Sequence, residues 1–374
     1  MDFPLSADEA AALARFRQLC RKEVALSAAA TERAGVFPRE NYRRLAAAGY
    51  LGMGHSPEYG GAEVSPVLSV LLQDALGAAC ASTFLSAGAS CGLFALPLSI
   101  FGSAEQKARH LPAIIAGERI GCFALTEPHA GSDVQALKTR AAQRDGAWFL
   151  TGDKMWITNG PCADVALVFA RTGEGVSGVS LFLIERGAKG FSQGPAVDKL
   201  GFRGSPTGAL IFEDAEAELV GEQGLGFAMA MQTLEYGRIG MAALSLGIAQ
   251  AALEAGVSYV KQRQVFGKPL AKFQDVQFTL ANLATECELA RTLIVRAAEE
   301  KRRLGEARTL ASMAKLFASE LATRATDAVL TLHGANGYSE ELPIARLLRD
   351  ARLCPIGEGA SAVQRMLIAR AILE

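Results

Sequence analysis

Hydrophobic spacing divides the chain into three textures. Over the first 120 residues the spacing is helical, and two S-x-x-E/Q signatures mark helix starts: Ser6 with Glu9, and Ser103 with Gln106 ahead of KARHLPAII. Pro38 stands where a further helix would begin, and Gly49 closes the run NYRRLAAAG. The segment GMGHSPEYGG, 52–61, interrupts this pattern and reads as a surface loop. From about 121 to 220 the texture becomes strand-like. AWFL (147–150) follows Asp145-Gly146, a strong hairpin signal, and MWIT, VALVFA (165–170), VSLFLIE (179–185) and GALIFED (208–214) continue it. GEQGLGFAM, 221–229, returns the chain to helix. Farther on, Val276, Leu280, Leu283, Cys287, Ala290, Ile294 and Ala297 alternate spacings of four and three, the seam of a helix packed on antiparallel neighbours. Asp275 is placed to cap its start and Gly305 to end it. A second long helix is predicted from about Thr309 to His333, stopping at Gly334. The predicted fold class is α+β: an N-terminal all-α domain (1–120), a middle antiparallel β domain (121–226) and a C-terminal four-helix bundle (227–374).

Composition narrows the function classes. A formal net charge of −1 over 374 residues provides no basic field for nucleic acid. The seven cysteines are scattered without a C-x-x-C pair and the four histidines are equally dispersed, so reduced thiols and no metal site are expected. The start, MDFPLSADE, is acidic and lacks the order of a signal peptide, which predicts a bacterial cytoplasmic protein, with a mature mitochondrial matrix form as the alternative. Ala75 to Ala104 carries no charge and is long enough to span a bilayer. Its small residues and internal Pro97 fit a pair of buried helices better, so no membrane span is expected.

Candidate chemistry gathers in a few segments. FALTEPHAGSD, Phe123 to Asp133, presents Thr126, Ser132 and backbone N–H groups along one rim, donors suited to a planar, acceptor-rich ligand. Trp156 and Thr158 of WITNG would face one side of a strand, a flat wall beside a hydroxyl on which an isoalloxazine ring could rest. Taken alone, T-E-P and G-S-D are simply good turn formers. In QRQVFGKPLAKFQ (262–274), Arg263 beside the turn at Gly267 and Pro269 would either pair with a pyrophosphate or lie solvated. LHGANGY (332–338) would let backbone approach phosphate closely, but it lacks the preceding strand of a dinucleotide fingerprint. Glu358, a lone carboxylate between Gly357 and Gly359, is either an exposed loop glutamate or a general base on a permissive backbone.

FALTEPHAGSD, WITNG, LEYGRIGMAALSLGIAQAAL, RQVFGKPLAKFQ, GANGY and GEGASAVQRMLIARAI, in this order and over nearly the whole chain, resemble the acyl-CoA dehydrogenase family. The resemblance implies a homotetramer (or dimer) with one FAD per subunit, α,β-dehydrogenation of an acyl-CoA thioester, and an electron-transferring flavoprotein as acceptor. An acyl group on a carrier protein is the alternative substrate, and a scaffold homologue without turnover the alternative class. Carried over by position, Phe123, Ala124, Leu125, Thr126, Ser132, Trp156, Ile157 and Thr158 would hold the flavin of their own subunit, Ser132 also facing the pantetheine arm. Arg263, Phe266 and Gln274, with Thr331, Gly334 and Ala335, would reach the ADP half of a neighbour's FAD. Glu235, Arg238 and Gly359 would contact substrate, and Glu358 would take the α-proton. Some relatives carry the base just before the arginine; Gly237 stands there, which leaves Glu358 without a rival.

Five positions depart from the family pattern. Thr331 and Ala335 replace the glutamine and second glycine of Q-x-x-G-G-x-G, and Ala360 and Ala362 replace the threonine and glutamine usual after E-G. Weaker FAD retention is therefore expected. Gly357 stands where many relatives carry an aromatic, and the uncharged 75–104 run offers no arginine for a second carboxylate. A short branched, cyclic or otherwise bulky uncharged acyl group is expected, not a glutaryl-type one.

Overall fold

Both predicted capping boxes form: Ser6 and Ser103 each accept from the backbone three residues on, and Glu9 and Gln106 accept from the serine N–H. The computed structural model describes residues 3–374, so the first two residues of the acidic N-terminal segment lie outside it. The leading helices are α1 (Ala7–Leu19), α2 (Ala25–Ala34), α3 (Arg39–Ala47), α4 (Pro66–Ala79), α5 (Ala81–Ala87), α6 (Leu96–Phe101) and α7 (Ala104–Ile115). Pro38 precedes α3, and Gly49 follows it in the left-handed conformation at φ 76°. A wide π-helical segment, Gly88–Ala95, joins α5 to α6. The uncharged run is thus the end of α4, an extended break at Cys80, and one continuous rod, Ala81–Phe101. By length and composition that rod and the helix Gly226–Gln262 are apolar enough to cross a membrane, yet half and two-thirds of their most apolar windows (50% and 67%) are buried within the fold.

The strands are β1 (Gly121–Ala124), β2 (Arg140–Arg144), β3 (Ala147–Thr158), β4 (Val165–Arg171), β5 (Val179–Glu185), β6 (Phe191–Gln193) and β7 (Thr207–Val220). Asp145 and Gly146 supply the two positive φ angles, 49° and 84°, that turn β2 into β3. β4, β2, β3, β7 and β5 pair in a ring that the β4–β5 ladder closes. Most pairings are antiparallel, as predicted, but β1 and β2 both meet β4 in parallel. Along β4, residues 165, 167 and 169 face a core shared with Ile114 of α7. Residues 166, 168 and 170 face Phe182 and Phe212 inside the ring. With both faces buried the strand needs no polar alternation, which is why VALVFA is uninterrupted.

α8 (Gly226–Gln262) leads through a short hairpin, β8 (Gln264–Val265) and β9 (Lys268–Pro269), to α9 (Gln274–Leu304) and α10 (Arg308–His333). α11 (Pro343–Ala351) and α12 (Ser361–Leu373) lie on α10. α9 starts two residues earlier than predicted: Phe273 is its N-cap and Asp275 sits in the first turn, where it favours the helix dipole without capping. Leu280 of the predicted seam is half-buried, and the other six positions are buried. α4 joins this bundle by crossing α8 at Gly77, where an added Cβ would stand 3.1 Å from Leu244 Cα. One apolar core therefore runs from Leu13 to Cys354.

Candidate functional site

The segment between α11 and α12 brings Glu358 back onto the middle of the bundle. Glu358 and Gly359 are both left-handed, at φ 54° and 90°. A side chain at 237 on α8 would overlap Glu358 Oε2 and approach its Cδ to 3.0 Å, so Gly237 is the floor on which the carboxyl lies. The same added carbon would stand 3.4 Å from Leu93 Cδ2, placing the π-helical segment beside the carboxyl. Glu358 as a residue is half-buried, but its Oε2 is shut from solvent and has no hydrogen-bond partner. Burial pushes its pKa up, against the opposing pull of Arg238 and Lys315. Arg238, 8% exposed, has a buried Nε without a partner. Two buried polar atoms of opposite charge, Glu358 Oε2 and Arg238 Nε, are thus left without hydrogen-bond partners. The room opened by Gly357 is partly taken by Met241, whose Cε would lie 3.3 Å from an added Cβ.

The flavin-side segments form a rim on the neighbouring sheet. Met155 N–H donates to Thr126 O at 2.9 Å, joining FALTEP to β3. Past Met155 the β3–β7 register shifts, and Trp156, at φ 60°, leaves its indole 52% exposed. Ile157 is buried and Thr158 half-buried, and the shift in register takes Trp156 out of the regular strand geometry on which its alignment with Thr158 was expected. Ala124, Leu125 and Ile157 are buried, which leaves them only backbone groups to offer a ligand. Phe123 and Leu125 share an apolar cluster with Phe94 and Leu234, which tie the rim to the walls around Glu358. Ser132 is exposed on a loop held from beneath. Glu127 accepts from Lys138 N–H at 2.6 Å and Thr139 N–H at 2.9 Å, while Arg171 donates to Leu137 O and Gln135 O. Lys154, fully buried, donates to Glu127 at 2.8 Å and Leu125 O at 3.1 Å. The open exposed rim, its hydroxyls and its flat indole fit a bound isoalloxazine.

A second group lies at the far end of α10. Arg263, Thr331, Gly334 and Ala335 line a cleft of about 260 Å³ with Tyr259 and Asn336. Tyr259 stacks on His333 at 4.1 Å and donates to its carbonyl, and Asn336 donates to the Tyr259 hydroxyl at 3.0 Å. Phe266 and Gln274 do not line the cleft; Phe266 stands 92% exposed on the β8–β9 hairpin. Along α10, Lys315, which reaches the Glu358 turn, and His333 at the cleft are about 27 Å apart, so the two groups lie at different places along this helix.

Glu235, expected among the substrate contacts, has partners within the bundle. Glu235, 4% exposed, accepts from Lys301 Nζ at 2.8 Å and from Ala307 N–H at 3.1 Å. It anchors the α9–α10 turn to α8. Sequence reasoning also passed over Lys315, Gln364, Lys154 and Tyr259. Two of these carried a visible signal. Lys154 lies on the inward face of β3 with Leu150, and Lys315 lies on the buried seam of α10 with Ala311 and Ala322.

Comparison with known proteins agrees with this geometry. The chain matches the acyl-CoA dehydrogenase N-terminal domain over residues 6–118, the middle domain over 122–215 and the C-terminal domain over 224–373. It is 41% identical over 362 residues to the human mitochondrial short-chain specific acyl-CoA dehydrogenase, covering 96% of this chain and 88% of that one. The structure of butyryl-CoA dehydrogenase from Megasphaera elsdenii is similar with a TM-score of 0.95 at 38% identity, covering all (100%) of both chains. A chain from the structure of the electron transferring flavoprotein of Acidaminococcus fermentans gives 0.96 at 38%, again covering 100% of both.

Proposed function

This chain belongs to the acyl-CoA dehydrogenase family of FAD-dependent oxidoreductases, and from that premise we propose that it desaturates a short, uncharged acyl-CoA with Glu358 as the base. The observation that carries the reading is the buried, partnerless Oε2 of Glu358 lying over Gly237. A carboxylate in water is far too weak to take a proton from a carbon next to a thioester. Removed from water, with no donor to satisfy it, the same group is a stronger base. The Glu358 N–H, which meets no acceptor among the described residues, is free to donate to the thioester oxygen and to stabilise charge that develops there. FAD, when bound, supplies the hydride acceptor for the β-carbon. Thr126, Trp156 and Thr158 would hold its flavin. Arg263 and the cleft around Gly334 would serve the ADP half of a neighbour's cofactor, a reading that the separation of the cleft from Glu358 along α10 supports.

Short acyl length is supported by Leu93 beside the carboxyl, by Met241 filling part of the room at Gly357, and by the short-chain relatives. The similarity to a chain solved with an electron transferring flavoprotein supports that class of acceptor. The test is anaerobic titration of the purified holoenzyme with acyl-CoAs of increasing length, following loss of flavin absorbance. Butyryl-CoA should bleach the wild type, and Glu358→Gln should bind it without bleaching. Normal bleaching by the variant would remove Glu358 as base, and bleaching only by carrier-protein thioesters would replace the substrate.

A further inference from the structure

Three lysines of the described chain are buried, Lys154, Lys301 and Lys315. The first two each meet a carboxylate at 2.8 Å. Lys315 meets none: its Nζ donates instead to the carbonyl of Gly359 at 2.8 Å. A fully buried ammonium with only a neutral partner is costly, and such a group is kept where its field or its geometry is used.

What Lys315 holds is the turn that carries Glu358. Two consecutive left-handed residues, one of them not glycine, do not persist without outside support. Gln364 of α12, fully buried, supplies the rest of that support. Its Nε2 donates to Gly359 O at 2.9 Å and to Glu358 O at 3.2 Å. A side chain at 359 would be strained at φ 90°, and its Cβ would come within 2.5 Å of Gln364 Nε2 and displace that donor. The turn is thus clamped by two donors from two helices.

We propose that Lys315 is a positioning residue for the reaction: with Gln364 it clamps the Glu358–Gly359 turn, and it sets a cation beside the base that this turn carries. The charged groups around the carboxyl are Arg238 from α8 and Lys315 from α10. Lys315 in turn faces Cys354, Glu358, Arg238 and Glu320. Burial pushes Lys315 down to about 8, which still leaves it a cation at neutral pH. Burial pushes Glu358 up, and the two cations oppose that rise.

The clamp's purpose rests on Glu358 being the base, and the test separates the two ideas. The infrared band of the protonated Glu358 carboxyl, isolated as wild type minus Glu358→Gln, is followed with pH in the substrate-free holoenzyme. Lys315→Gln keeps a donor for Gly359 O and loses the charge, so the midpoint should move up by about one pH unit. Lys315→Arg should leave it in place. Gln364→Leu keeps the charge and loosens the turn, so bleaching by butyryl-CoA should slow by at least ~10-fold with an unmoved midpoint. An unmoved midpoint in Lys315→Gln, or an equal shift in Lys315→Arg, would overturn the proposal. So would wild-type bleaching by Gln364→Leu, which decides the matter if Lys315→Gln does not fold. Failure of Glu358 as base would show separately, as bleaching by Glu358→Gln.

Discussion

Gly237→Ala sets stability and activity against each other. Gly237 lies within α8 with ordinary helical backbone, so alanine should stabilise the helix by about 0.8–1.0 kcal/mol. The added carbon would nevertheless overlap Glu358 Oε2 and stand 3.0 Å from Cδ. Carbon atoms in contact sit about 3.5–4.0 Å apart, so the carboxyl must retreat by about 1 Å. That retreat costs little stability, because the displaced atoms end a flexible side chain. It moves the base away from the α-carbon, and a misplacement of this size costs about 10²-fold in rate, or roughly 2.7 kcal/mol of barrier. The assay pairs urea unfolding with stopped-flow bleaching of the holoenzyme by saturating butyryl-CoA. The expected variant is as stable as wild type or more so, retains its flavin, and bleaches about a hundred times more slowly. Bleaching at the wild-type rate would show that the position of Oε2 over Gly237 is irrelevant to the chemistry.

Two further outcomes follow from the buried charges. Glu235→Gln or Lys301→Met alone should lose about 3–5 kcal/mol in urea unfolding, and Glu235→Leu with Lys301→Met together should recover most of it. In either single variant the KM for butyryl-CoA should stay at the wild-type value, and a raised KM in Glu235→Gln would place Glu235 at the substrate site. Asp350, pushed by burial from 3.8 to about 7, holds its proton more tightly folded than unfolded. It therefore favours the folded state fully below about pH 4, and that contribution is lost as pH rises to about 7. Asp350→Asn keeps an acceptor for Phe202 N–H and should remove this slope, so urea midpoints that fall equally with pH in both proteins would refute it.

Much of the architecture was legible because it is local. A capping box joins residues three apart, and the Asp145-Gly146 hairpin needs only two positive φ angles from residues that tolerate them. The segments around Thr126, Trp156, Arg263 and Glu358 were likewise legible as candidates; in the structure Arg263, Thr331, Gly334 and Ala335 line one cleft, with Phe266 and Gln274 outside it. Closure of the strand ring through β4 was not legible, because apolar spacing reports which faces are buried and not which strand lies next. Nor was the entry of α4 into the bundle, which rests on a glycine crossing between helices far apart in the chain.

The chain by itself thus determined its element types, their order and the residues able to carry the chemistry. Tertiary structure decided what each of those residues does. Glu235 reads as a substrate contact, and in the fold Lys301, 66 residues away, donates to its carboxylate. Lys315 reads as one more helix lysine until it donates to Gly359, 44 residues on. Short-range spacing encodes backbone preference, whereas the work of a buried charge depends on which partner the fold places within about 3 Å of it.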